Sequence, residues 1–278
     1  PAHSLGDALG ETLTAEPRPV AGVPGLSAAE LAAGPAWRRW LAERRDDLVR
    51  LAERGTYLDP SHAERLLDLP VPGVDELVGL AEVSRLARSA GAAEVVVDTA
   101  PTAHTLRLLA QPETLGRFGA FLEALAEKHR VVAERLVGAS AEDSADRAAH
   151  AVVGEAAGLA ELLRDADRTT FAWVLLAEEL SLEETNDALA ALAAAGVAVD
   201  RLLVNRLVPP PTTPCRRCEA ERAAQARVLG RLAELWPGLP VRQVPELAEE
   251  PVGPAALGRL AGWVAGERAP VVEPAGGG

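Results

Sequence analysis

The residues of this chain best suited to chemistry form one string: Asp98-Thr99-Ala100-Pro101-Thr102-Ala103-His104-Thr105. It sits at the end of a Val-rich run, Glu94–Ala100. An Asp at the carboxyl end of a parallel strand stands where α/β proteins bind ligands. In nucleoside triphosphatases such a carboxylate holds Mg²⁺, directly or through its water, and the metal neutralises phosphate charge. Pro101 with Thr99, Thr102 and Thr105 makes a short polar loop suited to sensing a terminal phosphate. Asp-Thr alone would read as a strand followed by an Asx-type turn. The eight-residue string as a whole is far less common by chance.

Cys215-Arg216-Arg217-Cys218 is the second constellation. A C-x-x-C reads as a redox pair, as two incidental thiols or as half of a zinc site. The adjacent arginines would lower a thiol pKa, as a redox pair needs. The proline-rich approach, Pro209–Pro214, suits a zinc knuckle leading into a helix. A structural zinc takes four ligands, and this motif offers two. All five His (3, 62, 104, 129 and 150) lie upstream of it.

These residues need a scaffold, and the apolar pattern supplies one. Glu94–Ala100, Thr169–Ala177, Arg201–Val208 and Val241–Leu247 are short apolar runs that fit a parallel sheet buried on both faces. Helical segments between them give a βαβ rhythm. Ser181-Leu182-Glu183-Glu184 reads as a capping box opening a helix to about Ala195. A second helix runs from about Arg217 to Leu235, before Pro237-Gly238. Leu26–Leu69 reads as helical but broken at Gly34-Pro35 and Gly55. Gln111–Asp167 reads as two or three helices. The tail Glu273–Gly278 is expected to be a disordered end.

Asp98–Leu109 (DTAPTAHTLRLL) resembles the second switch region of the arsenite-pump (ArsA) and tail-anchored-protein-targeting ATPase family, whose string is DTAPTGHTLR; Ala103 stands in place of its Gly. Pro1-Ala2-His3-Ser4-Leu5-Gly6-Asp7 resembles the first switch region, DPAHSLSD. Leu202-Leu203-Val204-Asn205-Arg206 resembles the strand end whose Asn recognises adenine. Pro245-Glu246-Leu247, with Glu250 and Gly253, resembles the adenine-flanking loop. Pro72–Glu76 and Leu180–Thr185 match two further stretches, and Cys215, Cys218 and Gln225 resemble the zinc-binding loop and helix. The likeness runs in order along nearly the whole chain.

The resemblance implies an α/β fold of the P-loop NTPase type, as one domain over 1–278. It would carry a helical insertion at about 106–168 and a further helical segment at about 26–70. It implies Mg-dependent ATP hydrolysis coupled to a conformational change in a homodimer. By carry-over, Asp98 stands near Mg²⁺, with Thr99, Pro101, Thr102 and His104 as the phosphate-sensing switch. Pro1, Ala2, His3, Ser4 and Asp7 form the other switch. Asn205, Pro245, Glu246 and Leu247 surround adenine, and Cys215 and Cys218 share one zinc with the same pair from a second subunit. The family's glycine-rich phosphate loop (GKGGVGKT) has no counterpart in these residues. The single Lys, Lys128, stands in a helical context. The expectation is a chain N-terminally incomplete, lacking the first strand and the phosphate loop, and inactive by itself.

The composition narrows partners and place. The formal charge is −13, with 41 acidic against 28 basic residues over 278. That balance speaks against non-specific nucleic-acid binding and against an anionic membrane surface. Two Cys do not make a disulfide scaffold, and no apolar run reaches the roughly 20 residues of a membrane span. The expected place is the cytoplasm. A cargo protein or a membrane transporter subunit is the partner that the resemblance implies. Without Cys beyond the one pair, the metalloid-export branch is the less favoured. Two other readings stand beside the ATPase: a non-enzymatic, zinc-linked dimeric binding module, and a partition-type ATPase of the related deviant-Walker group.

Overall fold

The computed structural model describes residues 4–56, 62, 79, 82–86, 88–89, 91–98, 150, 154 and 157–275. The chain divides into two compact units, residues 1–30 with 165–278, and residues 31–164.

The first unit is α/β. Helix α1 (Ser4–Leu9) leads into a two-stranded antiparallel ladder, β1 (Arg18–Pro19) with β2 (Ser27–Ala28). Leu9, Val20 and Ala28 bury a small cluster that Leu5, Leu13, Val23 and Leu257 cover. The main sheet is parallel, in the order β3 (Phe171–Leu176), β4 (Val199–Leu207), β5 (Val241–Pro245). Helix α3 (Glu179–Ala194) joins β3 to β4, and α4 (Arg216–Leu235) joins β4 to β5. Helix α5 (Pro254–Ala265) follows β5. Alternate strand residues Leu175, Leu202 and Val204 face the helices and meet Leu182, Leu189, Val228, Leu229 and Leu232 in one core. Burying each of these side chains is worth roughly 1.5–3 kcal/mol, so this layer holds the unit together. The buried polar residue Thr185 is satisfied, whereas Asp200 Oδ1 and Arg242 Nε are buried without a hydrogen-bond partner among the described residues. Trp173 Nε1 donates to Thr185 Oγ1 at 3.0 Å, and that hydroxyl donates to the Ser181 carbonyl at 2.7 Å.

Four local expectations change. Helix α3 begins at Glu179, not at a Ser181 capping box, because Ser181 Oγ accepts the Leu176 N–H at the end of β3 instead. In the second unit, α2 (Ala33–Thr56) runs unbroken through Gly34-Pro35 and Gly55. Pro35 falls in the first turn, where its missing N–H has no helical partner to lose. The tail is docked as far as Ala275, and residues 276–278 lie outside the described set. Gln243 Oε1 accepts from Val271 and Val272, its Nε2 donates to the Val272 carbonyl, and Ala275 N–H donates to Ala226. Gly230 permits this close pass, since a Cβ there would sit 2.7 Å from the Ala275 carbonyl.

The fourth change is at the Val-rich run. Glu94–Asp98 lies outside any strand and is exposed, Val96 by 88%. An apolar run becomes a buried parallel strand only when neighbours pair with it, and among the described residues this segment has no ladder. Elsewhere in the second unit α2 carries a stacked Trp37–Trp40 pair with Arg44 over the Trp40 ring. Arg39 of α2 reaches Glu82, which is also bonded by Arg85. The expected insertion at about 106–168 lies almost wholly outside the described residues; residues 157–164 are helical.

Candidate functional site

Asn205, Pro245, Glu246 and Leu247 come together at the carboxyl edge of the parallel sheet. Leu176 pairs with Asn205 and Leu207 with Pro245, so the ends of β3, β4 and β5 lie side by side. The β4–β5 register shifts between Val204 and Leu207, which is a bulge at Asn205-Arg206. Arg206 has φ 57°, and among the described residues it alone is a non-glycine at positive φ. Such a conformation costs on the order of 1–3 kcal/mol and persists only where neighbours enforce it.

The neighbours are visible. Arg206 N–H donates to Asn205 Oδ1 at 2.9 Å, and Glu246 N–H donates to the Leu207 carbonyl at 2.8 Å. The Arg206 guanidinium meets Glu246 Oε1 at 3.2 Å, an exposed pair joining β4 to the residue after β5. Gln225 of α4 accepts the Val208 N–H at 3.0 Å and donates to the Arg206 carbonyl at 3.4 Å. Arg222 holds the Val208 carbonyl at 2.5 Å and the Val271 carbonyl at 3.0 Å. These bonds fix Asn205 with its carbonyl oxygen accepting one N–H. One lone pair and the amide N–H groups are left to offer. That donor–acceptor pair matches the N6/N7 edge of adenine and mismatches guanine, whose O6 and N7 both accept.

Ser4 and Asp7 are exposed on α1, and Pro1, Ala2 and His3 lie outside the described residues. The helix is tied to the segment that follows Leu247: Gly253 N–H donates to Ala8, and Gly10 lies beside Val252. Asp98 is described and exposed, while Thr99, Pro101, Thr102, Ala103 and His104 lie outside the described residues. Asp98 and the sheet edge belong to different units.

Cys215 and Cys218 open α4. Cys215 is the N-cap, accepting the Cys218 N–H at 3.3 Å, and the two sulfurs are 2.7 Å apart. The Cys218 thiol donating to Cys215, with that backbone N–H, pulls the Cys215 pKa below the ordinary thiol value. The same bond and partial desolvation push Cys218 up. Two thiolates at about 2.3 Å on a tetrahedral metal stand about 3.8 Å apart, so a metal would require the pair to open. Among the described residues no group of three or more His, Cys, Asp or Glu gathers. The chain's described donors thus fit half of a zinc site.

Arg206, Arg222 and Gln225 are what motif reading underrates. The left-handed Arg206 leaves no trace in residue type. Gln225 does leave one: it shares a helical stripe with Val228, Leu229 and Leu232, so a polar group there calls for a buried partner.

A family model described as anion-transporting ATPase matches residues 1–266. An ATPase GET3 of Malassezia globosa is 31% identical over 273 residues, 95% of this chain and 79% of that protein. An ATPase get3 of Aspergillus niger is 31% identical over 269 residues, 92% and 77% of the two. One of Schizosaccharomyces japonicus is 29% identical over 261 residues, 92% and 78%. Among the described residues no helix is long and apolar enough to cross a membrane.

Proposed function

This chain belongs to the anion-transporting ATPase family, and from that premise we propose that it forms the base-recognition and switch part of a cytosolic, dimeric, Mg-dependent ATP hydrolase. The observation that carries the reading is the meeting of Asn205 with Pro245–Leu247 at the carboxyl ends of adjacent parallel strands. Asn205 takes the adenine edge while Pro245, Glu246 and Leu247 flank the ring. Asp98 would hold Mg²⁺ through a bound water; when bound, the ion neutralises charge on the phosphates. Thr99, Pro101, Thr102 and His104 form the phosphate-sensing switch, and Ser4 and Asp7 belong to the first. The 278 residues hold no glycine-rich phosphate loop, the element whose backbone N–H groups cradle phosphates in such enzymes. The load is a protein, in keeping with the single Cys pair.

Calorimetric titration with Mg-ATP should give weak binding to these 278 residues, and a phosphate-release assay no turnover. Clear turnover would overturn the reading. In a protein that also carries the phosphate loop, Asp98→Asn should slow hydrolysis at least about a hundredfold while part of the binding survives. Turnover near that of the unsubstituted protein would reduce Asp98 to a turn residue.

A second reading, a non-enzymatic zinc-linked dimeric module, is favoured by the paired thiols at the head of α4. Both readings share the zinc. Two copies of the loop across a two-fold axis complete four sulfur ligands without any further residue. Elemental analysis should find about half a zinc per chain, in a dimer that weakens with chelator or on Cys215→Ser. One zinc per chain in a monomer, or none at all, rejects the shared site.

A further inference from the structure

We infer that Gln225 is a positioning residue for nucleotide base recognition, holding the β4 bulge in the form that aims Asn205. The inference rests on the reading that Asn205 takes the base. It adds a residue that touches no nucleotide.

The bulge cannot hold itself. Arg206 carries a left-handed backbone, and among the described residues its own side chain is anchored only by an exposed pair with Glu246, 65% and 45% accessible. Exposed pairs of this kind contribute little. The Arg206 carbonyl within the bulge and the Val208 N–H just past the last ladder pair are the backbone groups that need partners. Gln225 supplies both with a single amide, its oxygen to Val208 and its nitrogen to Arg206. The side chain is buried, 8% exposed, so water cannot readily replace it. The arrangement is directional: acceptor toward Val208, donor toward Arg206. Reversing or deleting it lets Arg206 relax out of the left-handed region. The Arg206 N–H then turns away from Asn205 Oδ1, and the carboxamide loses the bond that fixes which of its ends faces the base. Bulges beside ligand sites commonly re-aim a side chain in this way.

The test uses the 278-residue chain with ADP and GDP as probes. The unsubstituted chain should prefer ADP over GDP by about tenfold. Gln225→Met, close in shape but without either bond, should erase most of that preference. It should also speed hydrogen exchange at the Val208 and Arg206 amides about tenfold or more. Gln225→Glu keeps the acceptor for Val208 but sets a carboxylate oxygen against the Arg206 carbonyl, so it should retain the Val208 amide's protection while losing much of the preference. If Gln225→Met weakens ADP and GDP alike and leaves the preference unchanged, Gln225 is structural only and the inference falls. Asn205→Ala separates the two levels. A preference that survives Asn205→Ala overturns the base reading itself, as does an unsubstituted chain without any preference, and the inference goes with it. Should Gln225→Met fail to fold, exchange in the unsubstituted chain decides. ADP should protect the Val208 and Arg206 amides and inorganic diphosphate should not, whereas no change with ADP overturns the inference.

Discussion

The carboxyl end of β4 and the Val95–Val97 run are made of the same kind of residue and end on the same kind of polar group. Leu202-Leu203-Val204 leads to Asn205, and Val95-Val96-Val97 leads to Asp98. The first run is paired on both sides, Leu202 and Val204 have no exposure, and its polar terminus is clasped from α4. The second is unpaired among the described residues, and its three valines are 45%, 88% and 42% exposed. The difference teaches that an apolar run gives a strand its faces, while neighbours give it its place. A polar group gains a fixed direction only from the second.

The most forceful way to break that comparison is to truncate both runs. Leu202→Ala should destabilise the α/β unit by about 3 kcal/mol, the transfer loss plus a cavity beside Leu229 and Leu232. Val96→Ala should stay within about 0.5 kcal/mol, as exposed substitutions do. Urea midpoints measured by circular dichroism would check both. A large loss at Val96 would mean that the run is buried in solution and that the two segments are alike.

How much could be read from the sequence follows the same line. The three sheet strands and both linking helices were legible, since each sits in an apolar window bounded by Gly, Pro or a cap, and β4 to β5 needed only α4 between them. Asn205 with Pro245–Leu247 was legible as a resemblance. What was not legible depended on partners distant in sequence. Ser181 read as a cap because its local pattern permits one, but the nearby Leu176 N–H competes for its hydroxyl. Glu273–Ala275 read as a loose tail because Gly and Ala carry little side chain to pack. It is held by the Ala275 N–H bonding the Ala226 carbonyl, next to Val271 and Val272, which the Gln243 side chain fixes, and no composition records these bonds. The left-handed Arg206 was invisible for the same reason: its cause lies in Gln225, Glu246 and the bulge, not in Arg.

A smaller effect sharpens the comparison at that residue. Arg206→Gly removes a strained side-chain conformation costing roughly 1–2 kcal/mol. It gives up an exposed ion pair worth little, and loosens the unfolded chain by about 0.4–1 kcal/mol. The balance is a gain of about 0.5 kcal/mol in unfolding free energy, read from the same urea curves. A stabilised variant means that the clasped end stores strain. A loss above about 1 kcal/mol means that the Arg206–Glu246 pair, not the strain, dominates there.

The smallest effect is expected at the head of α4, where Cys215 and Cys218 titrate against one another. The fold favours the Cys215 thiolate, so on its own that group contributes stability present above its unfolded pKa and lost as pH falls through the folded one. Cys218 is displaced upward, so its contribution is present below the unfolded pKa and lost as pH rises through the folded one. Both contributions are present together only around the unfolded thiol pKa, so stability should pass through a shallow maximum there, small because the two groups are partly open to solvent. Reactivity separates what stability averages, because only the thiolate attacks an alkylating agent. Iodoacetamide should label Cys215 first, with its rate rising at a pH below the ordinary thiol range, and the observed inflections belong to the pair. Cys218→Ala removes the largest cause of the downward shift and should move the Cys215 inflection back up. The N-cap bond from residue 218 N–H remains in that variant and keeps part of the shift. Equal labelling of both cysteines, or an inflection that ignores Cys218→Ala, would show that the head of α4 lacks the fixed direction that Gln225 gives the end of β4.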